Sequence, residues 1–301
     1  MIRNEDIEKA LEAGRIASKA LMLARSLTKK DTRLLDVAVK TEDYIIQQGG
    51  FPAFPMQISL NEIAAHDAVS YDDKRIFSGS EMVKLDVGVH VDGIVADNAL
   101  TVDLGKNNQD ICKASIAALE YVVKNIKKDV HIKDLSLGIA DKIASFGVKP
   151  VSNLSGHGLG KYRIHAEPQI PNVPFMGNQK LKANTHVAVE PFATNGFGKV
   201  IDSKDVEVFA QIKQSNVRDS IARTALSQIK KYNGLPFSLR WLSEKIGAQR
   251  ADYAINILLA NNIITAYPKL KEIQNGIVSQ HERTFIITDS ETLITTNWTL
   301  E

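Results

Sequence analysis

Apolar residues at Ile7, Leu11, Ile16, Leu21 and Leu23, separated by polar positions, give residues 4–29 helical spacing, with Asn4 as a candidate N-cap. Residues 32–48 repeat that spacing until Gly49-Gly50 stops it. The pattern then turns to β. Residues 82–89 and 93–104 are rich in branched apolar residues and flank His90-Val91-Asp92-Gly93, which reads as a hairpin turn. Helical patterns return at residues 109–127 and 133–146, before a glycine-punctuated stretch at 156–160 and a strand around 186–193. Beyond that strand, residues 217–231, 239–246 and 252–261 are all helical in pattern, with Leu235-Pro236-Phe237 separating the first two. β-rich sequence closes the chain at 282–288 and 292–296. This order predicts a single α+β domain over residues 1–301, with a helical subdomain inserted late.

Composition narrows the class. The 301 residues are 44% hydrophobic and 24% charged, ample for a folded core. Thirty-seven basic residues against 35 acidic ones leave a formal charge of +2 with no long block of one sign, which argues against a dedicated nucleic-acid binder. A single cysteine, Cys112, excludes an internal disulfide and suits a reducing compartment. It sits in what reads as a helix start and is expected to be an inert thiol. Acidic residues interrupt the first 30 positions, so no signal-peptide core is present, and no apolar run approaches the ~20 residues that span a bilayer. The expectation is a cytoplasmic protein outside the membrane.

Two aspartates stand out inside the proposed hairpin. A four-residue turn at 90–93 places Asp86 opposite Asp97, with Cβ atoms roughly 5 Å apart, whereas a tight Asp92-Gly93 turn shifts the register by two. Burying an ionised carboxylate in the valine-rich segment around Asp86 costs several kcal/mol unless a cation compensates. A metal ion would do so, with Lys84 or Arg75 as alternatives. His157 lies between glycines, and His165 and His66 add two further imidazoles. Glu190 ends one apolar strand and Glu282 starts another. Taken singly, each reads as an ordinary structural residue. Together, Asp86, Asp97, Glu190, Glu282 and His157 make four carboxylates and one imidazole, a donor set that balances two borderline divalent ions.

In that order, Asp86, Asp97, His157, Glu190 and Glu282 resemble the metal-ligand pattern of the methionine aminopeptidases, which have the pita-bread fold. The motifs that carry the resemblance begin with Phe54-Pro55, Ser59-Leu60-Asn61-Glu62-Ile63-Ala64-Ala65-His66 and Lys84-Leu85-Asp86-Val87-Gly88. Gly156-His157, Tyr162-Arg163-Ile164-His165-Ala166, Glu190-Pro191-Phe192 and Tyr267-Pro268 continue the series. The late helical segment resembles the type 2 insertion, a winged-helix-like subdomain over residues 196–268, and the chain looks more archaeal than eukaryotic. His281 departs from the family, where phenylalanine is usual.

The resemblance implies removal of the initiator methionine from nascent polypeptides by a monomer with two divalent ions, Co, Mn, Fe, Zn or Ni. It implies that Asp86 holds one ion, that Asp97 and Glu282 bridge both, and that His157 and Glu190 complete the second. Glu190 becomes the general base, His165 stabilises the carbonyl oxygen, and His66 meets the leaving-side nitrogen. Phe54, Ile164 and Tyr267 line the methionine pocket, for which core packing is the competing reading.

Three rivals share these residues. One is a proline-specific aminopeptidase or prolidase. Another is a non-catalytic pita-bread binding protein, with Lys230-Lys231 and Arg240-Trp241 as a basic face toward a partner; the same face suggests ribosome contact. The last is a single structural Mg or Ca site, which has no need of His157.

Overall fold

The computed structural model describes residues 2–299. Helices α1 (Asn4–Leu27) and α2 (Leu34–Gln47) open the chain, with Arg3 at the N-cap position, so Asn4 is the first helical residue and not the cap. Three short strands follow, β1 (Phe51–Pro52), β2 (Gln57–Leu60) and β3 (Ile63–Ala65), then the long hairpin β4 (Met82–Val91) and β5 (Ile94–Asp103). Next come α3 (Gln109–Asn125), α4 (Ile132–Ala144), β6 (Lys149–Pro150), β7 (Ser155–Gly160) and β8 (Arg163–Pro171). They lead to β9 (Thr185–Val189), β10 (Phe192–Thr194) and β11 (Val200–Gln211). The late helices are α5 (Ser220–Ile229), α6 (Leu239–Ile246) and α7 (Ala248–Ala260), with β12 (Phe237–Ser238) between the first two. Strands β13 (Ile264–Glu272), β14 (Val278–Gln280), β15 (Arg283–Ile287) and β16 (Thr292–Ile294) complete the order.

Strand β4 is the spine of the first sheet, paired with β1, β2 and β5. A second sheet runs β16-β15-β9-β7-β8, and two smaller ones run β12-β11-β13-β3 and β14-β10-β6. Both helix pairs, the first sheet and the second share one core, in which Ile16, Leu34, Leu85, Leu100, Leu135, Val187 and Phe285 are fully buried. That shared core fixes the two large sheets against each other, because close-packed interiors transmit displacement rather than absorb it. The late helices have their own cluster, including Leu226, Phe237, Trp241, Ile255 and Leu258. Among the described residues no helix is long and apolar enough to cross a membrane.

Three further sequence expectations are corrected. The hairpin turn is the tight one: Val91 pairs with Ile94, and Asp92 and Gly93 take φ of 49° and 83°, the conformation a two-residue Asp-Gly turn favours. Asp97 therefore faces Gly88, and Asp86 faces Ala99, with no bulge to restore the direct pair. The glycine-punctuated residues 156–160 lie in strand β7, and the strand expected over 186–193 is broken at Glu190-Pro191. Arg240 and Trp241 are no basic face. Both are buried, and Arg240 donates two 2.7 Å hydrogen bonds to the Glu42 carboxylate while the Trp241 indole donates a third at 2.8 Å.

Candidate metal centre

Asp86 on β4 and Asp97 on β5 are diagonal neighbours, and the two-residue alternation of each strand puts both on one face of the hairpin. Thr284 anchors Asp97 from β15, its hydroxyl accepting from the Asp97 N–H at 2.9 Å and donating to the Asp97 carbonyl at 2.7 Å. The Glu282 N–H donates to the Ala99 carbonyl at 2.9 Å, which binds the start of β15 to the same hairpin. Pro191 ends β9 just past Glu190. His157 Nε2 lies 3.7 Å from a Glu190 oxygen and 3.9 Å from an Asp97 oxygen. One ligand atom each from Asp97, His157 and Glu282 falls within 4.8 Å of the others.

The electrostatics of this cluster are unbalanced. Burial pushes Asp86 up to about 7 and drives Asp97, Glu190 and Glu282 well above the carboxylate range, with the neighbouring carboxylates adding to the effect on these three. His157 supplies no compensating charge. Burial and the adjacent His165 hold its imidazole down at about 3, so the ring is neutral and keeps one nitrogen lone pair, with Nδ1 3.4 Å from the Gly158 carbonyl. Neither expected cation helps: Lys84 Nζ donates to the Asn61 carbonyl, and Arg75 pairs with Asp67 and Asp73. Asp86 Oδ1, Asp97 Oδ1 and Glu282 Oε1 are buried without a hydrogen-bond partner. Open carboxylate oxygens beside one neutral nitrogen, with no cation among the described residues paired to them, are a donor set that fits divalent metal ions.

A cavity of about 410 Å³ opens over this cluster, and all ten candidate ligand, catalytic and substrate-pocket residues line it: the five ligand candidates with Phe54, His66, Ile164, His165 and Tyr267. Phe54 and Ile164 also pack in a buried cluster with Ala53, Val95, Leu159, Ala188 and Leu235, so core packing and cavity lining are one role here. Gly88 admits the Phe54 ring; a Cβ there would lie 2.2 Å from it. The His165 and His157 rings stand 4.7 Å apart, and His66 meets the edge of Tyr267 at 5.7 Å. Burial lowers His66 to about 4 and lowers His165, so both imidazoles are neutral at neutral pH.

Sequence reading passed over three residues at this site. Gln280 donates from Nε2 to Glu190 at 3.1 Å and to Glu282 at 3.5 Å, Thr284 anchors Asp97, and the Gln57 side chain accepts from the His66 N–H. Positions 280, 282 and 284 alternate, and that period was the available signal for the first two. His281, the departure from the family pattern, is fully buried and satisfied: Thr101 N–H donates to Nε2 at 3.3 Å, and Nδ1 bonds Ser115 Oγ at 2.8 Å. Cys112 is inert, its thiol pushed up to about 11 by burial.

A buried, uncompensated acidic cluster on the floor of an open cavity defines a metalloenzyme centre. The chain belongs to metallopeptidase family M24, whose model matches residues 8–222, and within it to the methionine aminopeptidases. It is 43% identical to the methionine aminopeptidase of Methanocaldococcus jannaschii over 97% of this chain and 99% of that one. Its identity to the Archaeoglobus fulgidus methionine aminopeptidase is 40%, over 96% of this chain and 98% of that one. Among solved structures, a thermophilic Arx1 superimposes with a TM-score of 0.88 at 14% identity, covering 100% of this chain and 93% of that one. The Thermotoga maritima methionine aminopeptidase gives 0.72 at 20% identity, covering 99% and 100%. A Pyrococcus furiosus prolidase gives 0.64 at 20% identity, covering 99% and 65%. These likenesses share the pita-bread fold, which is the fold of this chain.

Proposed function

We propose that this chain is a type 2 methionine aminopeptidase of archaeal kind, which removes the initiator methionine from nascent polypeptides in the cytoplasm as a monomer. One observation carries the reading: four carboxylates, three of them with buried oxygens that lack a hydrogen-bond partner, and one imidazole lone pair face a cavity walled by Phe54, Ile164 and Tyr267. Asp86, Asp97, His157, Glu190 and Glu282 would hold two divalent ions, Co, Mn, Fe, Zn or Ni. When bound, the ions supply Lewis acidity toward water and the scissile carbonyl. Glu190, steadied by Gln280, accepts the proton of the attacking water and returns it to the leaving amine. The water oxygen bonds to the carbonyl carbon to give a tetrahedral intermediate, whose collapse breaks the C–N bond as the leaving nitrogen is protonated. Neutral His165 donates to the carbonyl oxygen as negative charge develops there. His66, also neutral, meets the leaving-side nitrogen. The apolar wall suits a thioether side chain.

The reading extends to residues 196–268 as an inserted, winged-helix-like subdomain. Its support is the separate cluster shared by α5, α6 and α7, and the end of the family match at residue 222, just inside α5. Exposed Lys230 and Lys231 on that subdomain would contact the ribosome, which salt-dependent co-sedimentation tests.

The deciding experiment measures free methionine released from Met-Ala-Ser by metal-stripped protein, with and without added Co or Mn. Release with added metal, and none from Xaa-Pro peptides, is the expected result. Cleavage of Xaa-Pro peptides alone would favour the prolidase reading. No release from folded protein under any divalent metal would favour a non-catalytic binding protein.

A further inference from the structure

We infer that Gln57 is a positioning residue for His66 and, with the Pro268 carbonyl, presents His66 to substrate as a lone-pair acceptor. The inference rests on the proposed function, in which His66 meets the leaving-side nitrogen. Strand β3 stops at Ala65, and His66 turns the chain at φ 65°, a left-handed conformation uncommon for a residue other than glycine, though histidine enters it more readily than most. Its part-buried main-chain N–H finds an acceptor in Gln57 Oε1 at 2.6 Å. The neighbouring Ile58 N–H donates to the Asp67 carbonyl at 2.9 Å, so residues 66 and 67 are clamped to 57 and 58 by one side-chain and one main-chain bond.

The ring is held from the other side. His66 Nδ1 lies 3.1 Å from the Pro268 carbonyl, which can only accept, so Nδ1 carries the proton and Nε2 keeps its lone pair. Pro268 sits at a register irregularity between β11 and β13, where the ladder is interrupted and its carbonyl is available. Tyr267 closes on the ring edge. The two clamps come from different sheets. Gln57 pairs across the ladder with Asp86, one of the ligand candidates, whereas Pro268 belongs to the strand that returns from the late helices. Gln57 therefore places the His66 backbone in the same frame as the metal centre, and Pro268 sets the tautomer. A lone pair on Nε2 is what an amide N–H donor on the substrate requires, and a donor there would repel it.

The test uses the full chain with Gln57→Met, which keeps the volume and loses the acceptor, and Gln57→Glu, which keeps an acceptor oxygen. Gln57→Ser, too short to reach, is a second loss variant. In folded, metal-stripped protein, hydrogen exchange of the His66 amide should speed up by at least about tenfold in Gln57→Met and recover in Gln57→Glu. On Met-Ala-Ser, Gln57→Met should lower kcat on the order of tenfold to a hundredfold, with KM and metal content little changed. Added to His66→Ala, it should cause no further loss, since it acts through the group already removed. Unchanged His66 exchange in both loss variants, or fully additive losses, would overturn the assignment. A wild-type chain with no turnover would remove the reading of the site, and the amide measurement would still decide whether Gln57 holds His66.

Discussion

Glu272 and Glu282 stand ten residues apart and each exposes 1% of its surface, yet their surroundings differ in kind. Glu272 gathers the loops at the root of β11 and β13. Its two oxygens accept from the main-chain N–H groups of Phe197, Gly198, Gln274 and Gly276 at 2.7 to 3.1 Å. Burial pulls its pKa upward, and those donors together outweigh burial and hold it below the usual carboxylate range. Glu282 is reached by Gln280 at 3.5 Å, and its Oε1 has no partner. Burial, then Asp97, Glu190 and Asp86, push it well above that range. Solvent exposure therefore does not separate a working carboxylate from a structural one. What separates them is whether the protein itself has completed the hydrogen bonds of the charge it buries.

The comparison breaks most directly at the centre. Asp97→Ala should lower metal-dependent methionine release on the order of a thousandfold and reduce bound metal, measured side by side. Retained turnover at normal occupancy would remove Asp97 from the centre. Glu272→Ala should do the reverse. Four main-chain donors lose their acceptor, so the urea midpoint should fall by the equivalent of about 2–3 kcal/mol while the metal content of folded protein stays unchanged.

Metal removal sharpens the contrast through pH. In stripped protein the raised carboxylates contribute stability that is present below the ordinary aspartate value of 3.8 and is lost as pH rises through about 7, the value to which burial pushes Asp86. Glu272, held low, contributes stability present above 4.5 and lost as pH falls below it. Melting temperatures of stripped protein should therefore decline from pH 4 to 7, and metal at a hundred times its Kd should restore about 2.7 kcal/mol at pH 7. A flat profile would mean that the centre is already compensated. The smallest effect belongs to a third kind of carboxylate: Asp289 is exposed beside Lys128, and Lys128→Ala should leave the urea midpoint where it is.

Some of this was readable along the chain. The ends of α3 and α6 match their apolar spacing to within two residues. Strands β11 and β13 were missed because β11 alternates poorly and exposes several polar residues, while β13 carries a proline. Arg240 looked like surface because its pairing partner, Glu42, lies 198 residues away. Gln57 gave no signal, because an amide announces nothing until its ladder neighbours are known.

By itself, the sequence determined the helices, the presence of the hairpin and the ordered acidic and histidine motifs, because helical and strand periods follow from near-neighbour backbone geometry. The tertiary structure alone decided the diagonal register of Asp86 and Asp97, the break at Glu190 and the two clamps on His66. It also decided which buried carboxylates remain uncompensated. Desolvation and like-charge repulsion act through space, here between residues as distant in the chain as Asp86 and Glu282.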